Sequence, residues 1–165
     1  MTPDTLFISP TKGGLTLSNL VSEIAMFMKE EPTSSYRLVI GSDSQIKRDQ
    51  GHKVCDFVTA IVVHREGMGA RYFWNREKAH RAPTLREKIY TETMRSLDTA
   101  QTLLPLFAEK VSPSKYELEI HIDVGQVGET REMIREVVGM VTGSGFTART
   151  KPNSWAASTV ADKHT

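Results

Sequence analysis

The stretch Tyr36–Gln45, which reads YRLVIGSDSQ, decides the fold that we predict for this chain. It is nearly all apolar until it reaches Ser42 and Asp43, and this pattern predicts a strand over about 36–44. Ligands of α/β sheets collect beyond the carboxyl ends of the strands. Asp43 is therefore the first candidate site residue.

A second strand of the same kind is predicted within YELEIHIDVG, residues 116–125, and its end carries Asp123. A carboxylate held near a protein core without a partner is costly. Two of them side by side also repel each other unless a cation is bound between them. Asp43 and Asp123 together therefore indicate a cation site.

Two further strands follow the first one directly. A polar loop over 46–53 leads to the β-branched run 54–65, and the glycine-containing tip EGMGA returns the chain as a strand over 70–76. Together with the strand over 36–44, these segments predict an antiparallel meander of three strands.

Helices are predicted on both sides of this meander. Apolar residues at helical spacing predict a helix over 17–31, closed by Pro32. A capping box at Thr84 begins a second helix, which should run to about Leu104, where Pro105 would end or kink it. The remaining predicted elements are a helix from Thr130, a strand over 146–150 and a last helix from Asn153 or Ser154.

This order of elements predicts an α/β fold with a mixed five-stranded sheet. Three antiparallel strands are followed by two strands parallel to the first, and helices cover both faces. The 165 residues suit a single domain spanning 1–165, with residues 1–35 as a helical extension packed on it.

Composition limits the setting more than the function. The net charge of +1 argues neither for nor against nucleic acid, although 71–88 holds six basic residues and two acidic ones. This excess of positive charge could contact phosphates, and it is equally typical of a solvent-exposed connection between a hairpin and a helix. The single cysteine, Cys55, cannot form an internal disulfide, and no apolar run is long enough to span a membrane. We therefore expect a cytoplasmic protein.

Two more acids lie on the inward-facing stripes of predicted helices. Glu92 shares the stripe of Leu85 and Ile89, and Asp162 follows Trp155 after seven residues, which is two helical turns. An acid on a buried stripe is unusual unless something satisfies it. Both acids therefore join the two strand-end carboxylates as candidates.

Asp43, Glu92, Asp123 and Asp162 together predict a centre for Mg²⁺ or Mn²⁺. Such ions take hard oxygen ligands and need neither thiolate nor histidine. Clusters of this kind hydrolyse phosphodiester bonds with two metal ions. We expect the four acids to be catalytic and metal-binding, and the partner to be RNA, DNA or a hybrid.

The same four acids resemble those of the ribonuclease H-like superfamily. GSDSQ, YTETMRSL, HIDVG and VADKHT match, in this order, the first strand, first long helix, fourth strand and final helix of that fold. The phrases GSDSQ, HIDVGQVGETR and KPNSWAASTVADK are also similar to the YkuK-like family of bacterial ribonuclease H-like proteins, over nearly the whole chain. The resemblance implies the fold and the metal site, and a metal-dependent nuclease as the activity.

Two features depart from the simplest members of that superfamily. Its hybrid-cleaving enzymes often carry a histidine in the loop before the last acid. Here no histidine lies between Lys151 and Asp162, and His164 follows the acid as an expected tail residue. An additional helix also precedes the first strand.

Five residues beside the acids are candidates for contact with the substrate. They are Ser42, Ser44, Gln45, His121 and Lys151. The first three flank the first acid, and turn chemistry after a strand explains them equally well. A packed, hydrogen-bonded histidine is the favoured interpretation of His121. A cation at Lys151 would neutralise a phosphate.

Two other functions fit parts of the sequence. A non-catalytic nucleic-acid-binding or scaffold domain agrees with the near-neutral charge, the missing loop histidine and the aromatic content of 7%. A nucleotide-binding domain agrees with the D-x-G-x-x-G spacing from Asp123 to Gly128, as in the phosphate loops of actin-like ATPases. Those enzymes bind ATP between two domains, whereas the length of this chain suits a single domain. Four acids are more than a scaffold needs, which favours the nuclease.

Overall fold

A computed structural model of the chain describes residues 1–2, 4–79, 81–125, 131–151, 153–154 and 160. In chain order, the elements are β1 (Leu6–Ser9), β2 (Gly13–Thr16), α1 (Leu17–Glu30), β3 (Tyr36–Asp49), β4 (His52–Arg65), β5 (Ala70–Ala79), α2 (Leu85–Ala108), β6 (Tyr116–His121), α3 (Ile134–Gly143) and β7 (Thr147–Arg149). Short 3₁₀ turns at Pro113–Lys115 and Arg131–Met133 precede β6 and α3.

The predicted meander forms the centre of a mixed sheet. β3 pairs antiparallel with β4, and β4 pairs antiparallel with β5. β6 runs parallel to β3, and β7 runs parallel to β6. These directions confirm the predicted α/β fold with a mixed sheet. They also bring the carboxyl end of β6, where His121 lies opposite Gly41, close to Asp43. The expectation that Asp43 lies at the end of its strand is wrong, because β3 continues to Asp49 and Asp43 lies in its middle.

The predicted count of five strands is wrong, because the described residues contain seven, in the order β2-β1-β5-β4-β3-β6-β7. The two additional strands form a hairpin within 1–35, the segment predicted as helical. β1 pairs with β2 over four residues and meets β5 where Ile8 lies opposite Trp74. A strand of four residues offers too few alternating positions to be recognised, and only Phe7 and Ser9 are buried in β1.

The predicted polar loop over 46–53 is also wrong, since most of it is strand. β3 and β4 stay paired as far as Asp49 opposite His52, and Gln50 and Gly51 form the turn with positive φ angles of 51° and 81°. Positive φ at both central residues is the mark of the type I′ turn that joins tightly paired strands. Charged residues on an exposed ribbon show no apolar alternation, so the pattern did not reveal these strands.

α2 continues past the predicted end near Leu104 and reaches Ala108, with Pro105 inside it. A proline removes the N–H that would bond the carbonyl of the residue four positions earlier. That residue is Gln101, which is exposed, so water can satisfy its carbonyl. No helix in the described part of the chain is long and apolar enough to cross a membrane.

The main core lies between the helices and one face of the sheet, which we call the first face. Leu38 and Ile40 of β3 point into this core, together with Leu20 of α1, Leu103 of α2 and Val137 of α3. The opposite, second face carries a smaller apolar cluster of Val39, Ala60 and Val62, against which Tyr72 and Val160 pack. Of the predicted last helix, the structure describes only residues 153–154, at its expected start, and Val160, so helices on both faces remain a prediction.

Candidate functional site

Alternation along β3 divides the candidate residues between the two faces of the sheet. Ser42 and Ser44 lie on the first face, where both hydrogen-bond with α2. Asp43 therefore lies on the second face, opposite Val58 of β4, and is half-buried. Gln45 follows on that face and is exposed.

Glu92 is the buried acid of the site. Only 7% of the residue is exposed, on the face of α2 that packs against β3. The Ser44 hydroxyl donates a 2.6 Å hydrogen bond to its Oε1 atom. The Nζ atom of Lys88, one helical turn earlier, lies 4.0 Å from the same oxygen. Ser44, predicted as a contact for substrate, is thus buried and engaged with an acid.

The surroundings of Glu92 favour its protonated form. Burial raises the pKa of its carboxyl from 4.5 to about 8, and the charges of Asp43 and Asp123 contribute to the increase. The hydrogen bond from Ser44 and the charge of Lys88 oppose it only in part. Asp43 of β3 and Asp123, just after β6, are therefore both close enough to Glu92 of α2 to raise its pKa.

A lysine partly neutralises this group of acids. The Nζ atom of Lys151 lies 2.8 Å from Oδ1 of Asp123, which follows β6. The hydrogen bond to Asp123 raises the pKa of Lys151, and the charges of Asp43 and Glu92 raise it further. The backbone N–H of Lys151 also donates to the carbonyl of Val124, which fixes this segment beside the acid.

The acids Glu92 and Asp123 share the wall of one tight crevice, which has no room for a water molecule. It is lined by Ser42, Glu92, Thr93, His121, Ile122 and Asp123. Beside it, the Ser42 hydroxyl lies 2.9 Å from the hydroxyl oxygens of Thr59 and Ser96. Ser42 is therefore satisfied inside the protein, in a chain of hydroxyl groups that ties β4, β3 and α2 together.

His121 belongs to a charged network on the second face. Its Nε2 atom lies 3.1 Å from Oε1 of Glu119, and Nε of Arg149 donates to the other oxygen of Glu119 at 3.1 Å. Burial would raise the pKa of Glu119, but His121 and Arg149 hold it below its usual value. Burial likewise lowers the pKa of His121, although Glu119 opposes the change. The Nδ1 atom of His121 is buried and has no hydrogen-bond partner among the residues that the structure describes.

One predicted site residue, Asp162, lies outside the described residues. Trp155, expected in the core, and His164, expected in an exposed tail, also lie outside them. The D-x-G-x-x-G segment from Asp123 also runs into 126–130, which is not described, so the nucleotide-binding alternative stays a prediction.

The described acids have the chemistry of a metal site without forming a complete one. Within the described ranges, no three histidine, cysteine or acidic side chains are grouped closely enough to hold a metal ion. The donors are nevertheless hard oxygens, and the raised pKa of Glu92 shows that mutual repulsion and burial are uncompensated there. A divalent cation would relieve both, and the ammonium group of Lys151 on Asp123 shows that a cation fits beside this acid. The donors that the structure describes are therefore of the type that Mg²⁺ and Mn²⁺ bind, although they do not by themselves complete a site.

Sequence reasoning missed three residues that support these acids. Lys88 lies four residues before Glu92, a spacing that places the two side chains on one side of a helix. Ser96 lies four residues after Glu92 and follows the same rule. Glu119 precedes His121 by two residues and so shares its face of β6. In each case the signal was a spacing within a correctly predicted element.

Two comparisons with known proteins agree with this geometry. A family model described as Ribonuclease H-like matches residues 19–165. The chain is also similar to a Bacillus subtilis (strain 168) protein named uncharacterized protein YkuK, with 34% identity over 176 residues that cover 97% of this chain and 96% of the relative. No solved structure gives a significant match. The matches confirm the resemblance found in the sequence.

Proposed function

The chain belongs to the ribonuclease H-like family, and within it to the YkuK group, and from this membership we propose that it is a nuclease that hydrolyses phosphodiester bonds with Mg²⁺ or Mn²⁺ as cofactor. Proteins of this fold are often metal-dependent and commonly bind nucleic acid. The observation that carries the proposal is the meeting of three acids: Asp43 in the middle of β3, Asp123 just after β6, and the buried Glu92 of α2, whose pKa is raised by burial and by the charges of the other two.

In this proposal Asp43, Glu92, Asp123 and Asp162 are the metal ligands and the catalytic residues. When bound, the metal ions supply the positive charge that activates water and stabilises the leaving oxygen of a phosphodiester. The carboxyl of Glu92 carries a proton near neutral pH, so it must lose that proton to become a ligand. Ser44 then holds the carboxylate in place.

Lys151 has a second task in the same proposal. Its side chain is 57% exposed, so the ammonium group can leave Asp123 and still remain near the acids. A cation at this point would bind a phosphate of the substrate. His121 is buried and paired with Glu119, and in this proposal it orients the end of β6 instead of touching substrate.

The proposal is tested by cleavage of labelled single-stranded RNA, single-stranded DNA, duplex DNA and hybrid, with Mg²⁺, with Mn²⁺ and with EDTA. We expect metal-dependent cleavage that Asp43→Asn abolishes. Asp98→Asn is the control, because Asp98 is a half-exposed acid of α2 that pairs with the amino terminus. Cleavage that survives Asp43→Asn, or that needs no metal, would show that the site is wrongly assigned.

A second candidate function is a nucleic-acid-binding domain without catalysis. The ion pair between Lys151 and Asp123 favours it, since the lysine neutralises one acid without a metal. Such a domain would bind nucleic acid and show no heat of Mn²⁺ binding in calorimetry. Mn²⁺ binding that Asp43→Asn and Glu92→Gln both weaken would exclude it.

A further inference from the structure

The β3–β4 hairpin extends well past the acids as an arm, which we define as residues 44–57. Beyond Asp43, the two strands continue through six paired positions, from Ser44 opposite Phe57 to Asp49 opposite His52. At about 3.3 Å per residue, the arm reaches roughly 20 Å past Asp43. Among the described residues, β5 pairs with β4 as far as Cys55 opposite Ala79, and the last three pairs of β3 and β4 beyond it form a two-stranded ribbon.

The arm is a regular and tightly closed structure. Its ladder is continuous to the end, and the two-residue turn at Gln50 and Gly51 has positive φ at both positions. This turn matches the twist of paired strands and fixes their register. Residues 48–53 are all exposed, so the end of the arm is available to a partner.

The end of the arm carries two positive charges that oppose each other. Arg48 and Lys53 are direct cross-strand neighbours. Like charges in this position destabilise a sheet. Neither side chain has an ion pair with a described residue, whereas Lys47 lies 3.0 Å from Asp56 and Lys78 lies 2.6 Å from Asp49. An anionic partner would relieve the repulsion between Arg48 and Lys53.

The arm also belongs to the basic part of the molecule. The segments 44–57 and 70–88 together hold nine of the 21 lysine and arginine residues, but only four of the 20 acidic ones. The rest of the chain is correspondingly acidic, which explains the net charge of only +1. A polyanion would therefore approach the acids from the side of the arm and β5.

We propose that the arm is a binding surface for the phosphate backbone of nucleic acid, with Arg48 and Lys53 as phosphate contacts. Arg48 lies five residues beyond Asp43 on β3 and, by the alternation of the strand, on the first face, where Ser44 contacts Glu92. The arm would therefore guide the strand whose cleavage we propose towards the acids; in this respect the inference rests on the proposed function. A two-stranded ribbon is narrow enough to enter the roughly 12 Å wide major groove of a duplex, and it can also lie along a single strand.

The test compares Arg48→Gln/Lys53→Gln with Lys29→Gln/Lys110→Gln, both made in the Asp43→Asn background with Mg²⁺. The control lysines are exposed, lie near Tyr36 at the amino end of β3, and change the net charge equally. Fluorescence anisotropy measures the affinity for labelled single-stranded and duplex oligonucleotides across a salt series. We expect the arm variant to bind about tenfold more weakly, with a salt slope reduced by about two, and the control to behave as the parent protein.

Thermal unfolding shows whether weaker binding by the arm variant comes from a folding defect. The arm variant should melt at or above the temperature of the parent, because the repulsion between Arg48 and Lys53 is gone. Equal affinity and salt slope in the arm variant and the control would overturn the proposal. The proposal would also be overturned if the parent protein bound no nucleic acid. It would likewise be overturned if the arm variant differed from the parent only in a loss of self-association, measured by sedimentation.

The two proposals fail in different ways. Arm-dependent binding without cleavage by the unsubstituted protein would overturn the nuclease and support the arm. Metal-dependent cleavage that is insensitive to Arg48→Gln/Lys53→Gln would support the nuclease and overturn the arm.

Discussion

The hydroxyl of Ser44 donates a 2.6 Å hydrogen bond to Oε1 of Glu92 and so joins β3 directly to α2 at the group of acids. Ser44 is the neighbour of Asp43 in the chain but points to the other face of the sheet. β3 thus carries Asp43 on the second face of the sheet and, through Ser44, holds Glu92 of α2 on the first face. A shift of β3 by one residue would remove both contributions together.

Ser44→Ala should weaken metal binding without removing a ligand. The hydrogen bond from Ser44 lowers the pKa of Glu92, so its loss raises that pKa above about 8 and makes the proton harder to displace. We expect the Mn²⁺ affinity at pH 7 to fall about tenfold, as for a lost hydrogen bond to a charged group. Calorimetry measures the affinity.

Ser42→Ala is the matched control for this substitution. Ser42 is equally buried on the same face, but its partners are the hydroxyls of Thr59 and Ser96. It should lower the free energy of unfolding by about 1 kcal/mol and leave the Mn²⁺ affinity unchanged. Equal affinities in the Ser44→Ala and Ser42→Ala proteins would show that the contact with Glu92 does not tune the site.

Arg65→Met should destabilise the fold far from the acids. The side chain of Arg65 is 9% exposed; its Nε donates to the Tyr36 hydroxyl at 3.1 Å and its Nη2 donates to the backbone carbonyl of Phe27. That carbonyl belongs to the last turn of α1, where carbonyls lack partners within the helix. Loss of these bonds should cost about 2–3 kcal/mol of unfolding free energy, measured with urea.

Arg71→Met distinguishes the loss of the Arg65 hydrogen bonds from the loss of stacking on the Phe27 ring. Both guanidinium groups lie over the ring of Phe27, at 4.0 Å for Arg65 and 4.6 Å for Arg71, but Arg71 is exposed. Arg71→Met should cost at most about 1 kcal/mol. If both variants lost the same free energy, the hydrogen bonds of Arg65 would not be the cause. Neither variant should change the Mn²⁺ affinity.

The elements that could be predicted from the sequence are those with a long apolar pattern. The part of β3 up to Asp43 and the helix carrying Glu92 were predictable, because long buried elements repeat their period several times. β1 and the outer part of the arm, residues 46–53, were not, since a four-residue strand and a largely exposed, charged ribbon leave no repeat to detect. The contact of Lys151 with Asp123 joins residues 28 positions apart, and only the pairing of β6 with β7 brings them together.

The metal-free protein should lose stability as the pH rises. The pKa of Glu92 is about 8 in the folded protein and 4.5 in the unfolded chain, so the folded state binds the proton of Glu92 more tightly. Its contribution is fully present below pH 4.5 and is lost as the pH rises through about 8; the total is on the order of 5 kcal/mol. Urea unfolding in EDTA at several pH values measures it.

Glu92→Gln supplies the reference for that measurement. The lowered pKa of His121 acts in the opposite sense, because it removes stability as the pH falls below 6.5, and it is common to both proteins. The difference between the two unfolding curves therefore isolates Glu92, with Lys88, Asp43 and Asp123 unchanged around it. A difference that is constant from pH 5 to pH 9 would contradict the raised pKa of Glu92.

Lys151→Met should increase the affinity for Mn²⁺, because the ammonium group that pairs with Asp123 at 2.8 Å competes with a metal for that carboxylate. The lysine is 57% exposed, so the gain should be modest, about two- to fivefold in calorimetry. Lys115→Met, which removes an exposed lysine just before β6, should leave the affinity unchanged. Cleavage should nevertheless weaken through a higher KM, since a phosphate contact is lost. A lower Mn²⁺ affinity in Lys151→Met would instead mean that the lysine orders Asp123 for the metal.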